Sequence, residues 1–507
     1  MLYLVTVLLF LVHVVLGYIH PITIKGKHFY DSLTGELFMV KGVDYQPGGA
    51  SGVSTDKDPL SEIEECARDI LLFQELGINT IRVYSVNPDL NHDKCMSLLA
   101  SAGIYLILDV NSPLPNQSIN RYEPWSSYNH DYLYHIFKVV EQFSHYNNTL
   151  AFFAGNEVVN DKVSATHSSN YMKAVVRDLK TYITHHSDRP IPVGYSAADD
   201  LSFRIPLAKY LECSNSTAEL DSVDFYGVNS YQWCGYQNMQ TSGYDQLVAH
   251  YADYTKPIMF SEYGCNEVTP RIFQEVEAIY SSKMSSVFNG GLAYEFAQEP
   301  NNYGMVEYLS DGRVKLLKDF ETFKNQLAKA SETYHIKQMN ENVRSAPLKC
   351  QGTYENLGDK LVVPQSLGMA FITQGVKGEK GSYVELSDDD FVVKKEIFLS
   401  DGTKFQKSKI VATHNLNGPD TQQTVPEKSQ GSKNGKYLQI LNVETSTSSR
   451  QITNPNPKPK PQTRKIPNKK TKPKQNKQEK SKVQKQIARE KKIRAIRQRQ
   501  QEWNFKV

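Results

Sequence analysis

The sequence predicts a (β/α)8 barrel that is followed by a small β-rich appendage and a basic tail. Between residues 21 and 327, eight short apolar runs alternate with amphipathic stretches, which is the element count of such a barrel. Each run is apolar almost throughout, as expected of parallel strands that are buried on both faces. The competing fold, an open doubly wound sheet, is disfavoured because no GxGxxG turn follows the first run.

The predicted elements alternate regularly along the barrel. Strands are predicted at 38–43, 80–84, 105–110, 150–154, 191–195, 223–228, 258–260 and 291–296. Helices are predicted at 59–76, 131–145, 168–184, 244–254 and 271–281. In the first helix, apolar residues recur at spacings of three and four, and Gly77 ends it.

Composition divides the chain into four segments. They are a signal peptide at 1–17, the barrel at 18–330, a connector with the β-rich appendage at 331–445, and a disordered basic tail at 446–507. The apolar run at 2–16 is too short for a membrane span and suits a signal peptide. In the appendage, alternating apolar residues predict strands at 383–386 and 391–393.

The formal net charge of +3 conceals a strong asymmetry. Residues 451–507 hold 19 Lys and Arg and three acidic residues, whereas residues 1–450 hold 39 basic and 52 acidic residues. This division excludes one uniform globular class for the whole chain. The tail lacks the interleaved aromatic residues that nucleic-acid binding favours, so we expect no nucleic-acid partner.

Several features predict a secreted glycoprotein. Glycosylation sequons begin at Asn116, Asn147 and Asn215, and the six cysteines are an even number, as disulfides require. The chain has no CxxC or HExxH motif, so we expect no metal site, and no cofactor is expected. No later apolar stretch could span a membrane or signal a glycolipid anchor. We expect a monomer without a membrane span once the signal peptide is removed.

Two glutamates lie at predicted strand ends on opposite sides of the barrel mouth. Glu157 closes the fourth strand and Glu262 the seventh, and reactive groups of such barrels lie at these ends. Paired carboxyl groups suit cleavage of a glycosidic bond, because one protonates the leaving oxygen while the other attacks the anomeric carbon. Further polar residues at strand ends are Gln46, Tyr84, Asp109, Asn156, Tyr231 and Tyr294.

Three stretches closely resemble the fungal Gas/Gel/Phr β-1,3-glucanosyltransferases of glycoside hydrolase family 72. They are Gly-Asn-Glu at 155–157, Asp-Phe-Tyr-Gly-Val-Asn-Ser-Tyr-Gln-Trp-Cys-Gly at 224–235 and Ser-Glu-Tyr-Gly-Cys-Asn-Glu-Val-Thr-Pro-Arg at 261–271. The resemblance implies that Glu157 is the acid/base and Glu262 the nucleophile of a retaining mechanism. It also implies sugar-binding or supporting roles for Tyr84, Asp109, Asn156, Tyr231 and Tyr294, with Gln46 joining them.

The resemblance also implies an activity, a location and a disulfide pairing. The family cuts inside a β-1,3-glucan of the cell wall and transfers the donor to the non-reducing end of another glucan. Its disulfide framework implies the pairs Cys66–Cys95, Cys213–Cys350 and Cys234–Cys265. Two alternatives stay open at this point, namely a β-1,3-glucan hydrolase and a weakly active or inactive glucan-binding wall protein.

The sequence departs from the family pattern at three places. The last strand of the family reads Tyr-x-Tyr-x-Glu-Glu, whereas here Phe296 and Gln298 replace one Tyr and one Glu. The last cysteine is Cys350, so the Cys-rich glucan-binding module of many members is not expected. The usual anchor signal is not expected, and the basic tail stands at its position. Wall polyanions are candidate partners of this tail; a passive or proteolytically trimmed tail is the alternative.

Overall fold

The computed structural model describes residues 18–333, 348–358 and 361–416, so the predicted signal peptide and basic tail lie outside the described residues. The described chain begins with a small antiparallel sheet of three strands, which the sequence did not predict. Its strands are β1 (Ile22–Lys25), β2 (His28–Asp31) and β3 (Leu37–Phe38). Residues of this sheet reach the inside of the barrel described next.

Eight parallel strands close into a barrel, which confirms the predicted fold class. They are β4 (Val40–Asp44), β5 (Thr80–Val83), β6 (Tyr105–Asp109), β7 (Thr149–Asn156), β8 (Val193–Ala197), β9 (Phe225–Ser230), β10 (Ile258–Tyr263) and β11 (Phe288–Ala293). Each strand pairs with its neighbours in chain order, and β11 closes the circle against β4. This arrangement gathers the carboxyl ends of all eight strands at one mouth.

Helices connect the strands and cover the outside of the barrel. They are α1 (Ile63–Leu76), α2 (Asp93–Ser101), α3 (Pro124–Ser127), α4 (His130–Phe143), α5 (Lys162–His167), α6 (Ser169–His186), α7 (Leu201–Glu212), α8 (Met239–Ser242), α9 (Tyr244–Tyr251), α10 (Glu275–Ile279), α11 (Ser282–Ser285) and α12 (Lys318–Thr333). The helix predicted at 271–281 is shorter than expected. Buried Phe273 has a φ of 48°, which no right-handed helix accommodates, so α10 begins at Glu275.

The last barrel strand lies three residues earlier than the sequence predicts. Asn289-Gly290-Gly291 is typical of a turn, yet these residues belong to β11. A Cβ atom at Gly290 would lie 2.1 Å from the Val40 carbonyl oxygen, so glycine here permits close approach of the neighbouring strand. Tyr294 and Phe296 consequently lie beyond the strand rather than inside it.

The first sheet closes the amino-terminal end of the barrel. Ile22 and Phe29 are buried in one cluster with inward-facing strand residues such as Phe153, Phe225 and Met259. The rings of Phe29 and Phe225 meet edge to face with centroids 5.8 Å apart. Large apolar side chains therefore fill the barrel interior from below and leave its opposite mouth for polar residues.

The described part of the predicted appendage lies on the outside of the barrel. Strands β12 (Val306–Tyr308) and β13 (Val314–Leu316), which precede the predicted appendage, form a hairpin, and β14 (Ile397–Phe398) of the appendage joins it as a short third strand. The only α-helix described after residue 333 is α13 (Met369–Gln374), and a single 3-10 turn spans Asp388–Phe391.

Neither 383–386 nor 391–393 forms a strand. The Tyr383 hydroxyl donates to Asn148 Oδ1 at 2.8 Å, and the Val384 amide donates to Ser97 Oγ at 3.0 Å. The alternation at 383–386 reflects an extended segment with one side against the barrel. At 391–393, Phe391 ends a 3-10 turn and Val392 forms only an isolated bridge with Lys409.

No helix within the described ranges is both long and apolar enough to cross a membrane. The six cysteines form the pairs that the resemblance implies: Cys66–Cys95, Cys213–Cys350 and Cys234–Cys265. The second pair fastens the segment that begins at residue 348 to the end of α7.

Candidate active site

Glu262 lies in β10 at the barrel mouth, where its carboxylate is bound by groups from two other strands. The hydroxyl of Tyr84, which follows β5, donates to Oε1 at 2.9 Å. The hydroxyl of Tyr231, which follows β9, donates to Oε2 at 2.7 Å. Burial raises the pKa of Tyr84 well above its ordinary value, so this hydroxyl keeps the proton that it donates. Two donors on two different oxygens stabilise the ionised carboxylate and fix its orientation.

Arg82 connects Glu262 to the buried carboxylate of Asp109. Its Nε and Nη2 donate to the two Asp109 oxygens, each at 2.9 Å, and its Nη1 lies 3.6 Å from Glu262 Oε1. Burial opposes the charge of Arg82, but Asp109 outweighs it and raises the pKa of the guanidinium well above its usual range. Asp109 thus keeps the Arg82 guanidinium charged beside Glu262.

Glu157 directly follows β7 and has an unusual backbone conformation. Its φ is 48°, which is uncommon for a residue other than glycine and frequent at functional sites. Its amide donates to the Ser196 carbonyl at 2.9 Å, and its Oε1 accepts a hydrogen bond from Asn229 Nδ2 at 2.8 Å. The strained turn and this amide contact together fix where the Glu157 carboxyl group points.

Asn229 was not among the site residues predicted from the sequence, yet it joins the two halves of the site. Its Oδ1 accepts hydrogen bonds from Ser261 at 2.8 Å and Ser196 at 3.1 Å, while its Nδ2 also lies 3.3 Å from Asn156 Oδ1. It is fully buried and pairs in register with Glu262. Its sequence signal was an asparagine near the end of an otherwise apolar strand, which indicates a polar residue at the barrel mouth.

Asp44 is a buried carboxyl group close to the same guanidinium. It is completely inaccessible, its nearer oxygen lies 3.8 Å from Arg82 Nη1, and neither oxygen has a hydrogen-bond partner among the described residues. Burial raises the pKa of Asp44 well above its ordinary value against the opposing charge of Arg82. Burial therefore favours the neutral form of Asp44, and it is Asp109 that accepts the two hydrogen bonds from the Arg82 guanidinium.

Two glutamates thus lie at the mouth of a parallel barrel. Glu262 accepts two hydroxyl hydrogen bonds, whereas Glu157 accepts one from an amide. A family model described as Glucanosyltransferase matches residues 12–331, which is more than half of the chain. The chain belongs to the glucanosyltransferase family. The family resemblance seen in the sequence is thereby confirmed.

Relatives of this glucanosyltransferase include two named fungal enzymes. The 1,3-beta-glucanosyltransferase GAS4 of Saccharomyces cerevisiae is 57 % identical over 392 residues, which cover 77 % of this chain and 83 % of that protein. The 1,3-beta-glucanosyltransferase gel2 of Aspergillus fumigatus is 44 % identical over 408 residues, covering 79 % and 85 %.

A solved structure of Saccharomyces cerevisiae Gas2p in complex with laminaritriose and laminaritetraose is also similar. It is 39 % identical in sequence, has a TM-score of 0.62, and the match covers 68 % of this chain and 77 % of that one.

In the glucanosyltransferase, Tyr294 lies in an aromatic group at the mouth. Its ring meets those of Tyr84, Tyr231 and Tyr303, with centroids 6.5, 6.3 and 5.2 Å apart. The next residue, Glu295, accepts a hydrogen bond from Asn301 Nδ2 at 2.7 Å, and burial raises its pKa to about 8. These rings supply flat apolar faces and hydroxyl groups, the combination that sugar binding uses.

Gln46 holds the backbone of the turn that follows β5. Its Oε1 accepts the backbone amides of Tyr84 and Ser85, each at 3.1 Å, and its side chain is buried. These bonds fix the turn that carries the Tyr84 hydroxyl to Glu262.

The two departures from the family pattern lie in the packing around the site. Phe296 is fully buried and packs edge to face against Tyr45 and Phe73, with centroids 5.7 and 5.0 Å away. Gln298 accepts the Gly304 amide at 3.0 Å and donates to the Glu299 carbonyl at the same distance. Phe296 therefore belongs to the aromatic core, and Gln298 shapes the loop after it.

The three predicted glycosylation sites differ in exposure. Asn116 and Asn215 are exposed, whereas Asn147 is partly buried. Glycosylation at all three stays a prediction.

Proposed function

We propose that this chain is a cell-wall β-1,3-glucanosyltransferase that elongates glucan by a retaining double displacement. One observation carries the proposal: Glu262 is bound by two hydroxyl donors beside Arg82, whereas Glu157 accepts an amide N–H, at the same barrel mouth. The first environment suits a permanently ionised nucleophile, and the second suits a group that gives and takes protons. The family membership and the named relatives support the substrate.

In the first step, Glu262 attacks the anomeric carbon of a β-1,3-linked glucose unit within the chain. The bond from that carbon to the linking oxygen breaks, and Glu157 gives its proton to the departing oxygen. The products are a glycosyl ester on Glu262, a released glucan fragment and an ionised Glu157. Tyr84, Tyr231 and Arg82 hold the Glu262 carboxylate in line before it reacts.

In the second step, Glu157 takes the proton of the 3-hydroxyl at the non-reducing end of a second glucan. That oxygen attacks the anomeric carbon, the ester bond to Glu262 breaks, and Glu262 regains its charge. If water attacks instead, the outcome is hydrolysis. Transfer dominates when the bound acceptor presents its hydroxyl at high effective concentration.

Product sizes test the proposal directly. The described barrel with its C-terminal segment, residues 18–416, is incubated with a reduced laminari-oligosaccharide, and products are separated by size. Products longer than the substrate are expected. Shorter products alone would make the chain a hydrolase, and unreacted but bound oligosaccharide would make it a glucan-binding protein.

Substitution of each glutamate tests the assigned roles. Glu262→Gln should lower kcat by roughly 10⁴-fold because the neutral amide cannot form the ester. Exposed Glu277→Gln in α10 is the matched control and should keep full activity. Full activity of Glu262→Gln would contradict the nucleophile assignment. Glu157→Gln should lose activity on glucan but keep the first step with activated donors, because their leaving group departs without a proton.

The polycationic tail suits electrostatic retention on wall polyanions. Residues 446–507 lie outside the described residues, so this proposal rests on composition alone. Full-length protein should leave isolated walls on washing with high salt, whereas a variant that ends at residue 445 should leave at low salt. Equal release of both at low salt would contradict retention by the tail.

A further inference from the structure

Two large aromatic side chains stand exposed at the rim of the barrel mouth. Trp125 is 55 % exposed and Tyr122 is 49 % exposed, whereas Trp233 is only 5 % exposed. Tryptophan is usually well buried, and an exposed pair of aromatic rings in one loop is a common sign of a binding surface. We call Tyr122 and Trp125 the rim shelf.

The loop that carries the rim shelf is fixed by its own hydrogen bonds. Asn120 accepts the amides of Tyr122 at 3.1 Å and Glu123 at 3.3 Å, and the Asn120 amide donates to Ser127 Oγ at 2.8 Å. Pro124 begins α3 and is buried, whereas the tryptophan that follows it is exposed. The two rings are therefore presented by a preformed turn, which lowers the entropy lost when a ligand binds.

The rim shelf is attached to the segment that follows Glu157. The Tyr122 hydroxyl donates to Asp161 Oδ2 at 3.2 Å, and Asp161 caps α5 by accepting the Ser164 amide at 2.8 Å. The rings of Trp125 and His167, at the other end of α5, are perpendicular with centroids 5.5 Å apart. The shelf thus bridges the loops after β6 and β7, and both lie on the face that holds the active site.

The chemistry of the shelf suits a pyranose ring. Glucose in a β-linkage carries its hydroxyl groups equatorially, so its two faces expose C–H groups that pack against aromatic rings. Polar residues adjoin the shelf residues and Asp161 in the sequence, namely Asn120, Arg121 and Lys162, and such groups bind hydroxyl groups at the edge of a sugar. A flat apolar surface within a polar surround is the usual form of such sites.

We propose that Tyr122 and Trp125 bind a glucose ring of the β-1,3-glucan beyond the two rings that flank the scissile bond. This inference rests on the proposed function and adds a distal subsite to it. The shelf contributes binding energy only when the chain is long enough to reach it. Its contribution therefore appears as a dependence on chain length, which a group at the reacting centre would not produce.

Kinetics on laminari-oligosaccharides of increasing length test the subsite. Trp125→Ala should raise KM about fivefold to tenfold for long chains, with a loss that shrinks steadily as the chain becomes shorter. Trp125→Phe keeps a ring and should recover most of the affinity. Leu33→Ala, which removes a side chain that is 63 % exposed in the turn between β2 and β3, is the control and should match the wild type at every length.

Binding without turnover gives a second readout. In a Glu262→Gln background, a long laminari-oligosaccharide should change the fluorescence of the tryptophans, and the change should be absent after Trp125→Phe. An equal kinetic loss at every length would show that Trp125 only supports the fold of α5, and no loss at any length would assign the shelf to another partner; both overturn the subsite. A wild-type protein inactive on all lengths would instead overturn the proposed function.

Discussion

Glu262 accepts one hydrogen bond on each carboxylate oxygen, and each donor can be removed separately. Tyr231→Phe deletes the 2.7 Å bond to Oε2 without changing the ring, so kcat should fall about tenfold to a hundredfold, as for a bond to a charged group. The measurement is kcat on a laminari-oligosaccharide of fixed length.

A matched substitution separates this effect from loss of a buried hydroxyl. The Tyr254 hydroxyl is buried without a hydrogen-bond partner among the described residues, so Tyr254→Phe should leave kcat unchanged. An equal fall for both variants would mean that Tyr231 does not act on Glu262.

Glu295 makes stability depend on pH because burial raises its pKa from 4.5 to about 8. The folded state keeps this proton up to about pH 8 while the unfolded chain releases it near pH 4.5, so folding loses stability as pH rises through this window. Glu295→Gln should have the same Tm as the wild type at pH 4 and a Tm several degrees higher at pH 9. Exposed Glu277→Gln is the control, and a constant Tm difference across the range would contradict the assignment.

At this scale the sequence predicted the charged residues better than their partners. Glu157, Glu262 and Tyr231 stand directly at strand ends, and strand position alone brings such residues to the mouth. The pairing of Arg82 with Asp109, and the place of Asn229, depend on side-chain directions across the closed barrel. Periodicity along one strand carries no information about those directions.

The antiparallel sheet below the barrel is the element that the sequence analysis missed. Its strands are short and partly polar, so no apolar run predicted them. Their apolar side chains are buried against residues of the barrel interior, which the sequence of these strands alone does not indicate. The position of β11 was also mispredicted because of contacts that are distant in sequence. Its glycines are required by the neighbouring strands rather than by a local turn.

Phe29→Ala tests whether the sheet acts as a plug of the barrel. Phe29 is completely buried against Phe225, so its truncation should lower the free energy of unfolding by about 3–5 kcal/mol. Denaturant unfolding measures this change. Leu33→Ala in the exposed turn between β2 and β3 should cost less than about 0.5 kcal/mol. Because the plug lies at the end opposite Glu262, kcat of folded Phe29→Ala protein should stay within about twofold of the wild type.

At the scale of the molecule, the described residues from 348 onward extend along the outer helices. Cys213–Cys350 closes a loop over a separation of 137 residues, and Lys407 of this segment pairs with Glu75 of α1. Composition could indicate that this segment is distinct, but not that it lies against the barrel. Its contacts are with side chains hundreds of residues away.

Removal of the Cys213–Cys350 bond should loosen this segment while sparing the chemistry. The double variant Cys213→Ser with Cys350→Ser should lower the free energy of unfolding by about 3–5 kcal/mol, because the unfolded chain gains freedom over a long loop. Limited proteolysis should then cut the chain after the barrel more rapidly. The initial rate on laminari-oligosaccharides should be unchanged, and a large fall in kcat would place part of the segment in the active site.

The binding of Glu262 by Tyr84 and Tyr231 has a mechanical meaning as well as a chemical one. β9 is the immediate neighbour of β10, whereas β5 is reached only across β11 and β4, so this one carboxylate ties separated parts of the barrel wall together. In the proposed mechanism, formation of the glycosyl ester removes the negative charge of Glu262 that both hydroxyl groups bind. On that mechanism, the tie between β5, β9 and β10 weakens once in every catalytic cycle, at the step when one glucan must leave and another must enter.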